Sequence, residues 1–159
     1  MHTAKVLKSA LITVVAVALY LPLRAEVKMI LTASKVVTMN GVERKEAAAT
    51  AKPGDVIEYV TECKNEDKNG VKNFMPVLPV PKGMEYIPQT AAPEPVMAST
   101  DGVNFAPVPL KRSVRGADGK MADELVPYSQ YRSLRWNLGD IAGGASKTIK
   151  ARMKVKTAE

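Results

Sequence analysis

Two segments of the chain alternate apolar and polar residues directly after a tight turn. Residues 56–63 follow Pro53-Gly54-Asp55, and residues 147–156 follow Gly143-Gly144-Ala145-Ser146. The apolar positions of the second segment would share one face: Ile149, Ala151, Met153 and Val155. Its polar positions would lie on the other face or at the ends: Lys147, Thr148, Lys150, Arg152, Lys154 and Lys156. Such alternation is typical of strands in an antiparallel sheet with one buried face.

Further strands are expected on both sides of these segments, at residues 27–39, 42–52, 71–78, 84–87, 96–99, 104–110 and 131–138. Asn40-Gly41, between the first two, is a strong hairpin signal. Residues 76–109 contain eight prolines, which cannot donate hydrogen bonds to a sheet, so short edge strands are expected there. Residues 112–128 are polar and contain Gly116, Asp118-Gly119 and Pro127. They predict a surface loop.

The pattern after residue 25 predicts an all-β chain, because no long apolar period of 3.6 residues occurs there. Seven or eight short strands separated by turns are typical of an antiparallel β-sandwich. Residues 26–159 have the length of one domain. We interpret residues 26–52 as its N-terminal strand region and residues 53–159 as its core.

Residues 1–25 have the layout of a secretory signal peptide, whose helix would precede the sandwich. Lys5 and Lys8 are followed by an apolar run at residues 10–21, and Ala25 is a small residue suited to cleavage. The run is shorter than the roughly 20 residues of a membrane-spanning helix. We therefore expect export to the periplasm, the cell surface or the medium, with no stable membrane span after cleavage. Leu23 is large for a cleavage site, so an uncleaved N-terminal anchor is the alternative.

The composition after residue 25 disfavours catalysis. The one histidine of the chain is His2, so residues 26–159 lack the commonest general base, and serine–histidine and cysteine–histidine pairs are excluded. Zinc sites draw mainly on His and Cys and are also disfavoured. Residues 65–70 are the nearest candidate for a calcium loop, but Lys68 in their middle favours a polar turn. We expect a protein that is not an enzyme, with no catalytic residue, no metal and no cofactor.

Cys63 and Trp136 are candidates for a reactive or ligand-binding role, but each has a structural interpretation. Cys63 is the one cysteine, and it continues the alternation of Ile57, Tyr59 and Thr61 on the expected inner face. We expect a buried apolar side chain there rather than a reactive thiol. Trp136 lies in the strand at residues 131–138, and we expect a core anchor rather than a platform for a ligand.

The charge is mildly basic. The net charge is +7, and it falls to +4 when Lys5, Lys8 and Arg24 leave with the signal peptide. The densest basic surface is expected on the outer face of the last strand, and it is the one candidate contact surface: Lys150, Arg152, Lys154 and Lys156. This row could meet an anionic envelope surface. The alternative is an edge strand in which lysines prevent unwanted pairing. Nucleic-acid binding is not expected, because it needs more charge and interleaved aromatics.

Four motifs, in order, resemble the domain of unknown function eleven, an immunoglobulin-like module of exported and surface proteins of bacteria and archaea. They are Pro53-Gly54-Asp55-Val56-Ile57-Glu58-Tyr59 with Asn65; Pro81-Lys82-Gly83-Met84-Glu85-Tyr86-Ile87; Ser99-Thr100-Asp101-Gly102-Val103-Asn104-Phe105; and Leu134-Arg135-Trp136-Asn137-Leu138-Gly139 with Ala142-Gly143-Gly144-Ala145-Ser146. The resemblance spans residues 53–155 in a single copy, whereas the family often occurs in tandem. Leu78 replaces the acid that usually precedes the second motif. The resemblance implies an immunoglobulin-like sandwich without catalytic or ligand residues.

These observations predict a non-catalytic structural, adhesive or assembly module of the bacterial cell envelope. Its expected partners are other envelope or surface proteins, or further copies that associate through strand edges. Residues 27–39 could pair within their own domain or add to the sheet of a neighbour. The alternative is a binding module for carbohydrate or another envelope polymer.

Overall fold

The computed structural model describes residues 27–157 as an all-β protein. The predicted signal peptide, residues 1–25, lies outside the described residues. One turn of 3-10 helix, Tyr128–Gln130, is the only helical element between residues 27 and 157. The strands are β1 (Val27–Met39), β2 (Val42–Ala47), β3 (Val56–Asn65), β4 (Val71–Phe74), β5 (Val77–Pro79), β6 (Met84–Tyr86), β7 (Val96–Ser99), β8 (Ala106–Pro107), β9 (Lys111–Arg115), β10 (Met121–Leu125), β11 (Ser133–Trp136), β12 (Gly139–Ile141) and β13 (Ser146–Val155).

The strands form two larger sheets and two small ribbons, and every pairing is antiparallel. The large sheet has the order β2-β1-β3-β13-β6, and the second sheet has the order β5-β11-β7-β8. The ribbons pair β9 with β10 and β4 with β12. The predicted all-β antiparallel class is therefore confirmed.

One hydrophobic cluster contains the buried apolar residues of both larger sheets. The large sheet contributes Ile149, Ala151 and Met153 of β13, each fully buried, so the predicted alternation of this strand is confirmed. The second sheet contributes Leu134 and Trp136 of β11, which are also fully buried. A buried tryptophan excludes a large apolar area from water, and this makes Trp136 the largest anchor of the core.

The prediction of a surface loop at residues 112–128 is wrong, because these residues form most of the β9–β10 hairpin. The turn between the strands contains Gly116 and Gly119, and the Gly116 N–H donates to the Lys120 carbonyl at 2.8 Å. Across the ladder, Arg112 binds Glu124 and the Ser113 hydroxyl donates to Asp123. Cross-strand polar pairs of this kind stabilise a ribbon without an alternating apolar pattern. The sequence therefore lacked the hydrophobic signal on which the strand predictions rested.

Proline and tight backbone geometry shorten other predicted strands. Residues 71–78 divide into β4 and β5 around Pro76, and residues 104–110 reduce to the two residues of β8. The strand predicted at residues 42–52 ends at Ala47, five residues early. The number of strands thus exceeds the predicted seven or eight because several are interrupted pieces. The Asn40-Gly41 hairpin turn is confirmed, with φ of 52° and 77° as a two-residue turn with left-handed geometry requires.

The polar turn predicted at residues 65–70 is organised by one buried side chain. The Asn65 carboxamide donates to the carbonyls of Asn69 at 2.7 Å and Ile141 at 3.2 Å, and its oxygen accepts from the Asp67 N–H at 3.1 Å. The turn thereby binds the β12–β13 connection, where Gly143 packs directly on the Lys68 carbonyl. A Cβ atom at position 143 would lie 2.1 Å from the Lys68 oxygen. Only glycine fits this approach of two backbones.

Gly143→Ala should therefore lower the free energy of unfolding by about 1–3 kcal/mol, the usual cost of forcing extra atoms into a packed site. Gly144→Ala is not a clean control, because Gly144 has φ of +73°. Ala142→Gly removes a methyl group from the adjacent position instead and should cost less. Urea denaturation of wild type, Gly143→Ala and Ala142→Gly measures the difference in the free energy of unfolding. A Gly143→Ala protein as stable as wild type would contradict the close approach.

Candidate functional site

The predicted basic row lies on a strand that is paired on both sides. β13 lies between β3 and β6, so the alternative of an edge strand protected by lysines is wrong. Lys150, Lys154 and Lys156 are exposed, and the Lys156 ammonium donates to the Ser129 carbonyl at 2.9 Å. Arg152 is only 26 % exposed at its side chain. Its guanidinium is occupied by two carboxylates, which leaves the three lysines to form the accessible part of the row. That this row is a contact surface stays a prediction.

Arg152 is the centre of a charged cluster formed by Glu43, Lys45, Glu58 and Arg152. Its two terminal nitrogens donate to both oxygens of Glu43 at 2.8 Å, and its Nε donates to Glu58 at 3.1 Å. Lys45 approaches the other Glu58 oxygen as an ion pair. Because Glu43 and Lys45 belong to β2, whereas Glu58 and Arg152 belong to β3 and β13, the cluster joins the strand β2 to the middle of the large sheet across its outer face.

The charge states of the cluster follow from these contacts. Burial by itself would raise the pKa of Glu58, but the contacts with Lys45 and Arg152 outweigh it, so the pKa lies below its ordinary value. The hydrogen bond to Glu43 raises the pKa of Arg152, with a further contribution from Glu58. Both residues are therefore charged at neutral pH, and the cluster is an ionic contact rather than a proton-transfer site.

Acidification should destabilise the protein. Five carboxyl groups have lowered pKa values because of hydrogen bonds or ion pairs: Glu43 with Arg152, Asp55 with Lys35, Glu58 with Lys45 and Arg152, Asp101 with Asn104 and Ser99, and Asp140 with Lys72. A pKa lower in the folded than in the unfolded state stabilises the fold above the unfolded value and loses this contribution as the pH falls. The Tm should stay nearly constant from pH 7 to about 5 and fall below about pH 4.5.

Thermal unfolding followed by circular dichroism at a series of pH values measures this dependence. The Asp101→Asn protein tests one of the five carboxylates separately, since Asp101 accepts the N–H groups of Val103 and Asn104, each at 2.8 Å. Its Tm should decline less steeply in acid than that of wild type. A Tm that does not change between about pH 5 and 3 would contradict the assignment of these carboxylates as stabilising anions.

An open edge of the large sheet is the most distinctive surface of residues 27–157. β3 pairs with residues 27–36 of β1, whereas β2 pairs only with residues 34–39. β2 ends at Ala47, which lies opposite Ser34. Within the described part of the chain, residues 27–33 therefore have a strand on one side and none on the other. We call residues 27–33 the open edge.

Three consecutive apolar side chains are exposed along the open edge. The exposed fractions are 45 % for Met29, 46 % for Ile30 and 54 % for Leu31. Met29 lies opposite Cys63 of β3, so it belongs to the inner face of the sheet, and Leu31 lies on the same face opposite Thr61. Ile30 lies on the outer face, opposite Glu62. The open edge thus continues the apolar inner face beyond the region that the second sheet covers, and it is apolar on its outer face as well.

This geometry is suited to the addition of another strand. In an antiparallel sheet, alternate residues direct both backbone groups to the same side, so about half of the residues at the open edge present N–H and C=O groups outward. Natural proteins usually protect such edges with charges, prolines or bulges. The open edge has one charge, Lys28, which lies 3.7 Å from Glu66, and it has no proline. An edge with so little protection is a docking site or an aggregation hazard.

The aromatic side chains give no comparable surface. Trp136, Tyr86 and Tyr131 are buried, and the rings of Tyr86 and Tyr131 stack on each other with their centroids 6.1 Å apart. Trp136 is confirmed as a core residue, and it has no free face for a sugar ring. Phe105 is likewise engaged, since the Arg135 guanidinium lies 4.1 Å above its ring.

The residues that could act as nucleophiles or metal ligands form no site within residues 27–157. Cys63 is fully buried, as predicted, and burial together with the charge of Glu62 raises the pKa of its thiol. Within residues 27–157, no three His, Cys, Asp or Glu side chains are grouped in a way that could hold a metal ion. The same residues contain no helix that is long and apolar enough to cross a membrane.

Comparison with known proteins gives no family to which the site can be assigned. No family model, no curated protein and no solved structure matches this chain.

Proposed function

We propose that this chain is an exported, non-catalytic assembly module of the bacterial cell envelope that engages its partner by strand addition at the open edge. One observation carries the proposal: residues 27–33 combine an unpaired strand edge with exposed Met29, Ile30 and Leu31. A strand added from another molecule would form hydrogen bonds with the unpaired backbone groups and would bury the exposed apolar side chains beside them.

The proposal also includes the finer features of the sequence analysis. Residues 1–25 would direct export and be removed, and the two larger sheets would form an immunoglobulin-like sandwich. The resemblance to the domain of unknown function eleven supports this part, because that family is built from such modules. The absence of histidine from residues 26–159 supports a role in contact rather than in catalysis.

In strand addition, the backbone groups of the open edge would supply affinity and its side chains would supply specificity. The backbone of the open edge would supply hydrogen bonds that any extended segment can make. Specificity would come from the two faces, where Met29 and Leu31 select for apolar side chains on the inner face and Ile30 does so on the outer face. A partner strand with apolar residues at successive positions therefore fits better than an amphipathic one.

The charged cluster holds this edge in place before the partner binds. Arg152 fastens the β1–β2 hairpin to β3 and β13, and Lys35 of β1 forms a further ion pair with Asp55 at 2.9 Å. A strand that is already ordered loses little conformational entropy when it binds. The hairpin thus presents the open edge as a preformed template rather than as a flexible arm.

The test is the assembly state of the protein produced from its full sequence and extracted from the envelope without denaturation. Ile30→Lys places a charge at the centre of the open edge, and Val103→Lys is the matched control, since Val103 is 76 % exposed and lies far along the chain in the turn that follows β7. We expect wild type and Val103→Lys to sediment as the same assembled species and Ile30→Lys to sediment as the free subunit. Assembly unchanged by Ile30→Lys, at an unchanged Tm, would overturn the proposal.

A further inference from the structure

We infer that the occupant of the open edge is a second copy of this chain, paired antiparallel across a two-fold axis that passes through Ile30. The inference rests on the proposed function, and it identifies the partner and the register. Strand β1 of each copy would then become the centre of one continuous sheet of ten strands, five from each copy.

The described residues of the chain leave the open edge uncovered. None of residues 34–157 pairs with residues 27–33 on the side away from β3. Residues 1–25, which lie outside the described residues, are removed in the proposed function. The covering strand is therefore assigned to another molecule, and the self-complementarity of residues 27–33 identifies that molecule as a second copy.

The length and position of the open edge select a register for self-pairing. Residues that lie opposite each other in an antiparallel pair have the same backbone orientation, so a two-fold axis between two copies of one strand must pass through a residue. Every residue from 27 to 33 has a partner within residues 27–33 of the second copy only when the axis passes through Ile30. The facing pairs are Val27 with Ala33, Lys28 with Thr32, Met29 with Leu31, and Ile30 with Ile30 of the second copy.

The side chains are compatible in this register. Met29 and Leu31 of the two copies form four adjacent apolar groups on the inner face, and the two Ile30 side chains meet on the outer face. Directly opposite aromatic or β-branched pairs stabilise a ladder, and directly opposite like charges destabilise it. Each Lys28 faces Thr32, so the two lysines of the copies are separated by four residues, or about 13 Å.

The neighbouring registers are worse for identifiable reasons. An axis through Leu31 would bring Lys28 opposite Ser34, where β2 already occupies the edge. An axis through Lys28 would place the two lysines opposite each other. An axis through Met29 would set Lys28 against Ile30 and would leave Ala33 opposite residue 25, which is removed in the proposed function. For the described residues, the Ile30 register is the one that uses the whole edge, avoids β2 and separates the lysines.

The expected dimer is concentration-dependent. One strand pair of this length covers less than the roughly 1,000 Å² that marks a stable interface, so we expect a Kd in the micromolar range. High local concentration in an envelope assembly would favour pairing, and dilution would reverse it.

Disulfide trapping tests both the partner and the register. Opposed Cα atoms in an antiparallel pair are about 4.5–5.5 Å apart, which lies within the range that a disulfide spans. Ile30→Cys should therefore form a covalent homodimer under mild oxidation. Thr32→Cys is the matched control on the same strand and the same face. In the proposed register, residue 32 lies opposite Lys28 of the second copy rather than opposite itself. The native Cys63 is fully buried and should not react.

We expect the Ile30→Cys homodimer to exceed that of Thr32→Cys at least tenfold, and a mixture of Thr32→Cys with Lys28→Cys to cross-link. Equal cross-linking of Ile30→Cys and Thr32→Cys would overturn the register. Absence of any homodimer, in a protein whose assembly is still dissolved by Ile30→Lys, would overturn self-pairing and leave strand addition to a different protein. Absence of both effects would remove the proposed function as well.

Discussion

Trp136→Ala should lower the free energy of unfolding by about 3–5 kcal/mol, the range for truncating a buried aromatic side chain to alanine. Trp136 is 0 % exposed and is the largest fully buried side chain of the core. It lies on β11, opposite Val96 of β7, in the cluster shared with the large sheet. The loss would leave a cavity between the two sheets, and a domain of ordinary stability, about 5–15 kcal/mol, would lose much of its margin.

Urea denaturation followed by far-ultraviolet circular dichroism measures this loss, and Val103→Ala is the control for truncating an exposed apolar residue. Trp136→Phe sharpens the test. The Trp136 Nε1–H is buried and has no acceptor among residues 27–157, so its removal relieves an unpaired donor while most of the ring is kept. We expect Trp136→Phe to cost less than half as much as Trp136→Ala. A cost below about 1 kcal/mol for Trp136→Ala would contradict a core organised around this residue.

Arg152→Met should cost about 2–4 kcal/mol, because it removes the partner of a buried carboxylate. The Glu58 side chain is only 4 % exposed, and Arg152 supplies its hydrogen bond at 3.1 Å. Lys45 would remain beside Glu58 as the second cation, and the loss should therefore stay below the full cost of an isolated buried charge. The same substitution frees Glu43 and with it the attachment of the β1–β2 hairpin.

Lys154→Met is the matched control, since Lys154 is exposed on the same strand two residues away. It should change the free energy of unfolding by less than about 0.5 kcal/mol. The double variant Glu58→Gln with Arg152→Met should be less destabilised than the sum of its parts, because the second change removes the orphaned charge. Additive losses would show that Glu58 and Arg152 do not interact, and they would contradict the charged cluster.

The strands with strong alternation were predictable, and the reason is local. Residues 147–156 have apolar side chains at every second position, and the structure buries Ile149, Ala151 and Met153 as expected. Asn40-Gly41 specified its turn through conformations that few other residue pairs adopt. The burial of Cys63 followed from the same period of two. These features depend on a few neighbouring residues and need no knowledge of what packs against them.

The β9–β10 hairpin was missed because its stability has a different origin. Its strands carry few apolar residues, and its contacts join side chains about ten residues apart, such as Arg112 and Glu124. A polar segment with glycines has the same composition whether it forms a loop or a ribbon. The paired charges across residues 111–125 were the signal that could have separated the two.

The candidate site was only partly predictable for a related reason. Residues 27–39 were recognised as a strand that could pair with a neighbour, but their apolar composition did not reveal which part is covered. That depends on where β2 stops, at Ala47, and on how far the second sheet extends. Arg152 was predicted as part of an outer basic row, and its position on the outer face agrees with the structure. Its contact with Glu43 depends on how the large sheet brings β2 and β13 together across the two strands between them, which no local pattern encodes.

The charged cluster and the open edge belong to one arrangement. Both ends of β1 are anchored, through pairing with β3 along residues 27–36 and through the ion pairs of the hairpin. The open edge is therefore held as a strand even though six of its seven side chains, including Met29, Ile30 and Leu31, are exposed. Assembly through an ordered edge, with its specificity set by Met29, Ile30 and Leu31, is the central claim that follows from this arrangement.

Amide hydrogen exchange of residues 27–33, measured by mass spectrometry at two protein concentrations, tests that claim most directly. Outward N–H groups of an open edge exchange rapidly, and a strand that adds to the edge protects them. We predict that this segment exchanges rapidly in dilute protein and becomes protected in concentrated protein, while β13 exchanges slowly in both and Ile30→Lys abolishes the gain. Equal exchange of residues 27–33 at both concentrations, in a protein that remains assembled, would contradict the open edge as the site of assembly.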